Sequence, residues 1–340
     1  MCKKNEKARV LVTIPRGLYK TVSRVEDEET LKSFAECVFN PLDRNLDEKE
    51  LSKLIVNMDG CITSWGSPRF TETVLNNANR LRIIGHAAGS VKPYVTDEVF
   101  KKGIIVVNAA STIAIPVAEF TLAMILNCLR GIPKYVEAMR RKAWSYRDQK
   151  SFTTYDLRGK TVGVIGFGAV ARELVKLLKP FEVSVIVYDP YVEPSQAAAC
   201  GARKADLNEL LSCSDVVTLH AASTPETRCM IGEKEFRLMK PTAYLINTSR
   251  GALIDENALI KALKEKRIAG AALDVFEQEP LENSSPLYDL ENVFLTPHVA
   301  GGSDESMSRL FGTIVEDFKR FFSGEKPVNA VLYERLKVLA

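Results

Sequence analysis

The run Thr161-Val162-Gly163-Val164-Ile165-Gly166-Phe167-Gly168-Ala169-Val170-Ala171 carries an apolar stretch straight into glycine. It reads as a strand, a turn of the form GxGxxA and the start of a helix. In such a turn Gly166 permits the sharp reversal, Gly168 lets the backbone approach a pyrophosphate, and Ala171 lets helix and strand pack closely. The N-terminus of the following helix then offers unpaired N–H groups and a positive dipole end to phosphate oxygens. Glycines alone say little, since strand-to-helix turns use them for plain backbone reasons. Here a second apolar strand, Val183 to Tyr188, ends at Asp189, roughly 23 residues beyond Gly166, near where a dinucleotide fold places the acid that binds the adenosine ribose. The Asp189 carboxylate also selects between cofactors. Beside the 2′-phosphate of NADP, two like charges about 4 Å apart repel by roughly 4 kcal/mol at an effective dielectric near 20, on the order of a thousandfold in affinity. NAD is the expected cofactor.

Three further segments end strands of the same series: Asn247-Thr248-Ser249-Arg250-Gly251, Leu273-Asp274-Val275-Phe276-Glu277-Gln278-Glu279-Pro280 and Thr296-Pro297-His298. Open α/β sheets bind ligands at the carboxyl ends of their strands, so residues distant in sequence converge there. Singly, these residues have ordinary readings. An arginine after a strand is usually a solvated loop residue, a glutamate before proline a turn residue, and a histidine a satisfied core residue. Their joint order behind a dinucleotide motif is what argues for a site.

The elements that must position them fall into two series. From Val10 to about Gly103, short apolar runs alternate with amphipathic stretches. Val10 to Ile14, Cys37 to Phe39, Met58 to Thr63 and Leu81 to Ile84 read as strands, and Glu28 to Ala35, Asp47 to Ile55 and Thr71 to Ala78 as helices, with Asp47 and Glu50 able to form a capping box. A longer series from Lys160 to about His298 places strands at Thr161 to Ile165, Ser184 to Tyr188, Val216 to Leu219, Ala243 to Ile246, Gly270 to Leu273 and Val293 to Leu295. That rhythm argues for a parallel, doubly wound sheet. Between the series an apolar helix starts near Pro116 and continues into the polar stretch Lys134 to Lys142, bridging two domains. Ser306 to Phe322 is an amphipathic helix with Leu310, Ile314, Phe318 and Phe321 on one stripe.

At 340 residues the chain exceeds what one core usually fills. A hydrophobic fraction of 46% and a charged fraction of 26% exclude disorder and coiled coil. The net charge of +3 is too small to imply a nucleic-acid or membrane partner. The polar start Met1-Cys2-Lys3-Lys4-Asn5-Glu6-Lys7 lacks the apolar core of a secretory signal. Ile113 to Leu129, the longest apolar region, is interrupted by Pro116, Glu119, Thr121 and Asn127 and reads as a buried helix rather than a membrane span. Seven scattered cysteines without ligand spacing suit free thiols in a reducing cytoplasm and no metal site.

Nearly the whole length resembles the D-isomer-specific 2-hydroxyacid dehydrogenase family. Besides GxGxxA, the likeness rests on Leu219-His220, Thr224-Pro225-Glu226-Thr227, the Asn247 to Gly251 run, Ala272-Leu273-Asp274-Val275-Phe276, Glu279-Pro280 and Pro297-His298. It implies a Rossmann-type NAD domain over residues 113–304 and a smaller flavodoxin-like α/β substrate domain over 1–112, joined by a C-terminal helix within 305–340. It also implies hydride transfer between nicotinamide and C2 of a small 2-hydroxy or 2-keto acid, with Arg250, Glu279 and His298 as the catalytic set. The chemistry suits these types. A histidine can give a proton to the carbonyl oxygen or take it back, a carboxylate on its other nitrogen orients the ring and favours its charged form, and an arginine fork binds the substrate carboxylate.

By the same resemblance the cofactor is held by Gly166, Phe167, Gly168, Ala169, Val170, Asp189, Pro190, His220, Ala221, Ala222, Thr227, Thr248, Ser249, Asp274 and His298. Ala88, Gly89 and Ser90 supply backbone N–H groups to the substrate carboxylate beside Arg250. The chain departs from the family in that loop, where Ala88-Gly89-Ser90-Val91-Lys92-Pro93 replaces a glycine-any-glycine pattern followed by Asp-Asn, and at Ala222, which replaces a proline. Trp65 stands where phosphoglycerate dehydrogenases carry a phosphate-binding arginine, which argues for an uncharged substrate tail; a core or interface aromatic is the other reading. His86, which begins the carboxylate loop, has no assigned role. Glu279 argues against formate dehydrogenase, whose relatives place glutamine there. The resemblance further implies a homodimer supported by the helix from Pro116 and no appended regulatory domain. A binding protein that senses NAD, like the corepressor relatives that keep these residues, is the competing reading.

Overall fold

The computed structural model describes residues 7–146 and 152–336. The chain divides into two compact units, one of Met1–Ile113 with Gly302–Leu339 and one of Ala114–Gly301. The polar N-terminal heptad lies outside the described residues except for Lys7.

The first unit holds a five-stranded parallel sheet of β1 (Ala8–Val12), β2 (Ala35–Phe39), β3 (Gly60–Thr63), β4 (Ile83–His86) and β5 (Ile105–Asn108) in the order 2-1-3-4-5. That order is flavodoxin-like. The capping box forms as the spacing predicts: Asp47 accepts from Glu50 N at 2.8 Å and Glu50 accepts from Asp47 N at 2.8 Å, opening α3 (Glu48–Leu54). One sheet face packs on the C-terminal stripe. The predicted single helix is two, α13 (Asp304–Ser308) and α14 (Leu310–Phe322), and Leu310, Phe311, Ile314, Val315 and Phe318 of α14 are buried with Val10, Val12, Ile62, Ile83 and Val107. Each such side chain is worth about 1.5–3 kcal/mol. The other face packs Leu11, Cys61, Ile84 and Val106 against Leu51, Val74, Leu75 and Val99. Asp317 fastens the tail by accepting from Val328 N and Asn329 N at 2.6 and 3.1 Å.

The second unit is built on a seven-stranded parallel sheet: β6 (Thr161–Ile165), β7 (Ser184–Tyr188), β8 (Arg203–Lys204), β9 (Val216–Leu219), β10 (Tyr244–Asn247), β11 (Gly270–Leu273) and β12 (Val293–Leu295). The spatial order is β12-β11-β10-β9-β6-β7-β8, so the winding reverses between β6 and β9. A doubly wound sheet opens its ligand crevice at such a point. Helix α6 starts at Ala110, six residues before the expected Pro116, and runs to Arg130. By length and composition it could cross a membrane, but half of its most apolar window is buried, with Met124, Ile125 and Leu129 packed among Val162, Val164, Val185 and Val187. Gly131, at φ 62°, ends α6 before α7 (Ile132–Arg140).

Candidate active site

The glycine turn begins where β6 ends. Gly166 has φ +85°, and a β-carbon there would meet the backbone of Ala221 and His220 at 2.5–2.7 Å, so no side chain fits. His220 N donates to Ile165 O at 2.7 Å, which fixes the end of β9 against the turn. A β-carbon at Gly168 would meet nothing within 4 Å. Gly168 is the N-cap of α8 (Ala169–Leu178), and no side chain caps that helix. Its first-turn N–H groups therefore face an open cradle that suits a pyrophosphate. Ala171 is buried on the sheet side.

Asp189 follows β7. Its Oδ2 accepts from Phe167 N and its Oδ1 from Tyr191 N, both at 2.8 Å, so the carboxylate is aimed beside the turn with lone pairs to spare for ribose hydroxyls. Pro190 is exposed beside it. Asp189→Ala is expected to narrow the preference for NAD over NADP by on the order of a hundredfold or more, measured as the ratio of dissociation constants. Equal affinity for both cofactors in the unmodified chain would remove Asp189 from this role.

The remaining cofactor candidates lie along the ends of β9, β10 and β11. Thr227 Oγ1 donates to Ala222 O at 2.7 Å, and Ser249 Oγ donates to Ala221 O at 2.7 Å, knitting two strand ends together. Thr248 is buried, its hydroxyl 2.8 Å from that of Thr121 on α6. Asp274 is fully buried and accepts from Thr296 Oγ1, Val299 N and Ala300 N at 2.6–3.0 Å. Its carboxylate thus grips the segment that carries His298, a positioning task that sequence reading missed.

Glu279 and His298 pair directly, and Arg250 lies within electrostatic reach of Glu279. His298 N donates to Asp274 O at 2.8 Å, which holds the residue at φ +53°, a left-handed conformation rare outside glycine. The ring is half exposed, and its Nδ1 lies 2.6 Å from Glu279 Oε2. Glu279 is itself oriented by Phe276 N, which donates to Oε1 at 3.0 Å. Gly251 explains how Arg250 reaches the same place: a β-carbon at Gly251 would meet the Phe276 carbonyl at 1.9 Å, so only glycine lets the two segments touch. Asn247, buried, laces the arginine loop by donating from Nδ2 to Arg250 O and accepting from Ser249 N at 2.9–3.0 Å. Arg250 is partly buried, and its guanidinium donates to Ser249 O at 2.7 Å. Burial lowers its pKa, and the charge of Glu279 acts on it in the opposite direction. His220, by contrast, is a structural histidine: its Nε2 lies 3.0 Å from Thr218 Oγ1, and burial pushes its pKa down to about 4.

The substrate candidates other than Arg250 belong to the first unit. Trp65 is 38% exposed, in the loop after β3. Ala88 N already donates to His86 O at 2.7 Å, whereas the N–H groups of Gly89, Ser90 and Val91 have no acceptor among the described residues. Asn108 Nδ2 fixes the loop by donating to Gly89 O at 2.7 Å. Among the described residues there is no cluster of side chains suited to a metal ion.

Residues 122–300, more than half of the chain, match the sequence profile of the D-isomer specific 2-hydroxyacid dehydrogenase NAD binding domain. A D-3-phosphoglycerate dehydrogenase from Methanocaldococcus jannaschii is 40% identical over 89% of this chain and 57% of its own length. The chain thus spans little more than half of that relative. A glyoxylate reductase from Korarchaeum cryptofilum is 36% identical over 98% of both chains. Among solved structures, a protein from Pyrococcus horikoshii OT3 superposes with a TM-score of 0.81 at 31% identity, covering 98% of this chain and 97% of its own. With a nucleotide cradle on a doubly wound sheet and these matches in sequence and structure, the chain belongs to the D-isomer-specific 2-hydroxyacid dehydrogenase family, and its second unit is the NAD-binding domain.

Proposed function

We propose that the protein is an NAD-dependent oxidoreductase that interconverts a small 2-keto acid and the corresponding D-2-hydroxy acid. The observation that carries this is the 2.6 Å bond between His298 Nδ1 and Glu279 Oε2, beside Arg250 and on the same unit as the dinucleotide cradle. When bound, the nicotinamide supplies or accepts the hydride. Arg250 binds the substrate carboxylate through its fork of donors and polarises the neighbouring carbonyl. Glu279 holds Nδ1 and supports the imidazolium, so Nε2 of the exposed ring is left to give its proton to the carbonyl oxygen. In the oxidising direction neutral His298 takes that proton back. Gly89 and Ser90 add backbone donors for the carboxylate, and Trp65 favours an uncharged tail. The cofactor contacts are the turn from Gly166 to Val170, Asp189 and Pro190, the strand end His220 to Ala222 with Thr227, the pair Thr248 and Ser249, and Asp274. The test is to supply NADH deuterated at C4. Deuterium at C2 of a D-configured product supports the reading; an L product or an unlabelled one contradicts it.

Homodimerisation fits the surface of the second unit. Ile132, Val136 and Met139 of α7 are exposed by 43, 44 and 52%. They follow one helical stripe with Tyr135 and Arg140 at its border, an apolar row that a monomer has no reason to keep. Val136→Glu combined with Met139→Glu is expected to halve the mass measured by light scattering. An unchanged mass would exclude α7 from the interface. The six cysteines among the described residues are free, as a cytoplasmic setting would have them.

A further inference from the structure

A row of polar side chains is buried along the carboxyl edge of the five-stranded sheet. Thr13, Thr63, His86 and Asn108 are each less than a tenth exposed, and the register sets His86 between Thr63 and Asn108. Most of their bonding capacity is met. Thr13 Oγ1 donates to Ile62 O at 3.2 Å, and Asn108 bonds to Gly89 O and Ala110 N. His86 is the exception: its Nδ1 lies 2.9 Å from Thr63 Oγ1, while its Nε2 is buried without a partner among the described residues.

The network fixes what that atom is. Thr63 has one hydroxyl hydrogen, and Gly85 O lies 3.1 Å from its oxygen. One assignment satisfies both bonds: Thr63 donates to Gly85 O and accepts from His86 Nδ1–H. Nε2 is then a bare acceptor. Burial pushes the pKa of the ring down to about 3, so it stays neutral. A second unpartnered buried acceptor, Asn45 Oδ1, borders the loop after β3: the Asn45 side chain packs on Gly66, whose N–H donates to Tyr94 OH at 3.2 Å. The Tyr94 ring in turn covers the imidazole, centroids 4.3 Å apart. Unsatisfied buried polar atoms are rare in folded proteins and mark places where a ligand or water completes the bonding.

His86 opens the loop that holds the carboxylate in the proposed function, on which this inference rests. We propose that His86 is a specificity-determining residue of the substrate site, its Nε2 accepting a hydrogen bond from a hydroxyl group on the tail of the 2-keto acid. A carboxylate or phosphate tail would set lone pairs against a lone pair, and a methyl group would leave the acceptor unpaired. For the hydroxyl to reach Nε2 the partly exposed Tyr94 ring slides off the imidazole; the new hydrogen bond offsets the lost contact.

The test compares kcat/KM for pyruvate and 3-hydroxypyruvate, which differ by one hydroxyl, with NADH and the full chain. The unmodified enzyme is expected to prefer the hydroxylated acid by about tenfold or more, since a site built to bond a hydroxyl rejects the analogue that lacks it. His86→Phe keeps a ring under Tyr94 and removes the acceptor. It should lose on the order of tenfold of that preference, without a lower melting temperature, because the unpaired nitrogen is gone. His86→Gln, whose amide oxygen can stand near the Nε2 position, should retain the preference. An unmodified enzyme without the preference, a Phe variant that keeps it or a Gln variant that loses it overturns the proposal, and the first and last of these decide even if the Phe variant does not fold. If the unmodified chain reduces no 2-keto acid, the dehydrogenase reading falls and this inference with it. If both acids are reduced at a ratio indifferent to residue 86, the inference alone falls.

Discussion

His298→Ala is expected to lower kcat by about 10² to 10⁴, the usual contribution of a positioned general acid or base, with NADH affinity retained. The retention follows from placement. His298 meets the rest of the protein through Glu279 at the ring and Asp274 at the backbone, whereas the glycine cradle and Asp189 are built on β6 and β7. Glu279→Gln separates orientation from charge. The amide can still bond to the ring, but it no longer stabilises the imidazolium, so the reducing direction should suffer more than the oxidising one. A His298→Ala enzyme with full kcat would remove the histidine from the chemistry.

Arg250→Ala is expected to lower kcat/KM by a comparable factor, and here KM must change as well. Two hydrogen bonds to a charged carboxylate contribute roughly 1.5–3 kcal/mol each, so losing both costs on the order of 10² to 10⁴. Arg250→Lys should recover only part of this, because an ammonium keeps the charge without the planar fork. The geometry sharpens this expectation. The guanidinium is partly buried and anchored on Ser249 O, with Asn247 bracing the loop behind it. A shorter point charge at that position cannot span the same two oxygens. Should Lys match Arg in kcat/KM, bidentate recognition would be excluded.

The strands of the second unit were legible because buried parallel strands leave short apolar runs, here ending at Gly166, Asp189, His220, Asn247, Asp274 and Thr296. β8 was not, since Arg203–Lys204 is a two-residue edge strand with no apolar signal. In the first unit, β5 was missed for a different reason. Ile105–Asn108 is a four-residue strand lying between the end of the alternating series near Gly103 and the apolar stretch from Ile113, too short to declare a period of its own. The start of α6 was misplaced because proline ordinarily marks the first turn of a helix, whereas Pro116 lies in its interior. At the site, the cradle and Asp189 could be read from spacing, but the set of Arg250, Glu279 and His298 came from family resemblance. The grip of Asp274 on Thr296, Val299 and Ala300 spans 22 to 26 residues and leaves no local pattern. The unpaired nitrogen of His86 is equally invisible in sequence, because it is defined by what surrounds it.

The most direct test of the central claim is to mix the purified chain with NADH and a panel of 2-keto acids and follow loss of the reduced-nicotinamide absorbance. The account predicts sustained oxidation of NADH with at least one of them, abolished in His298→Ala. Saturable NADH binding with no turnover of any keto acid, the behaviour of a nucleotide sensor, would contradict it.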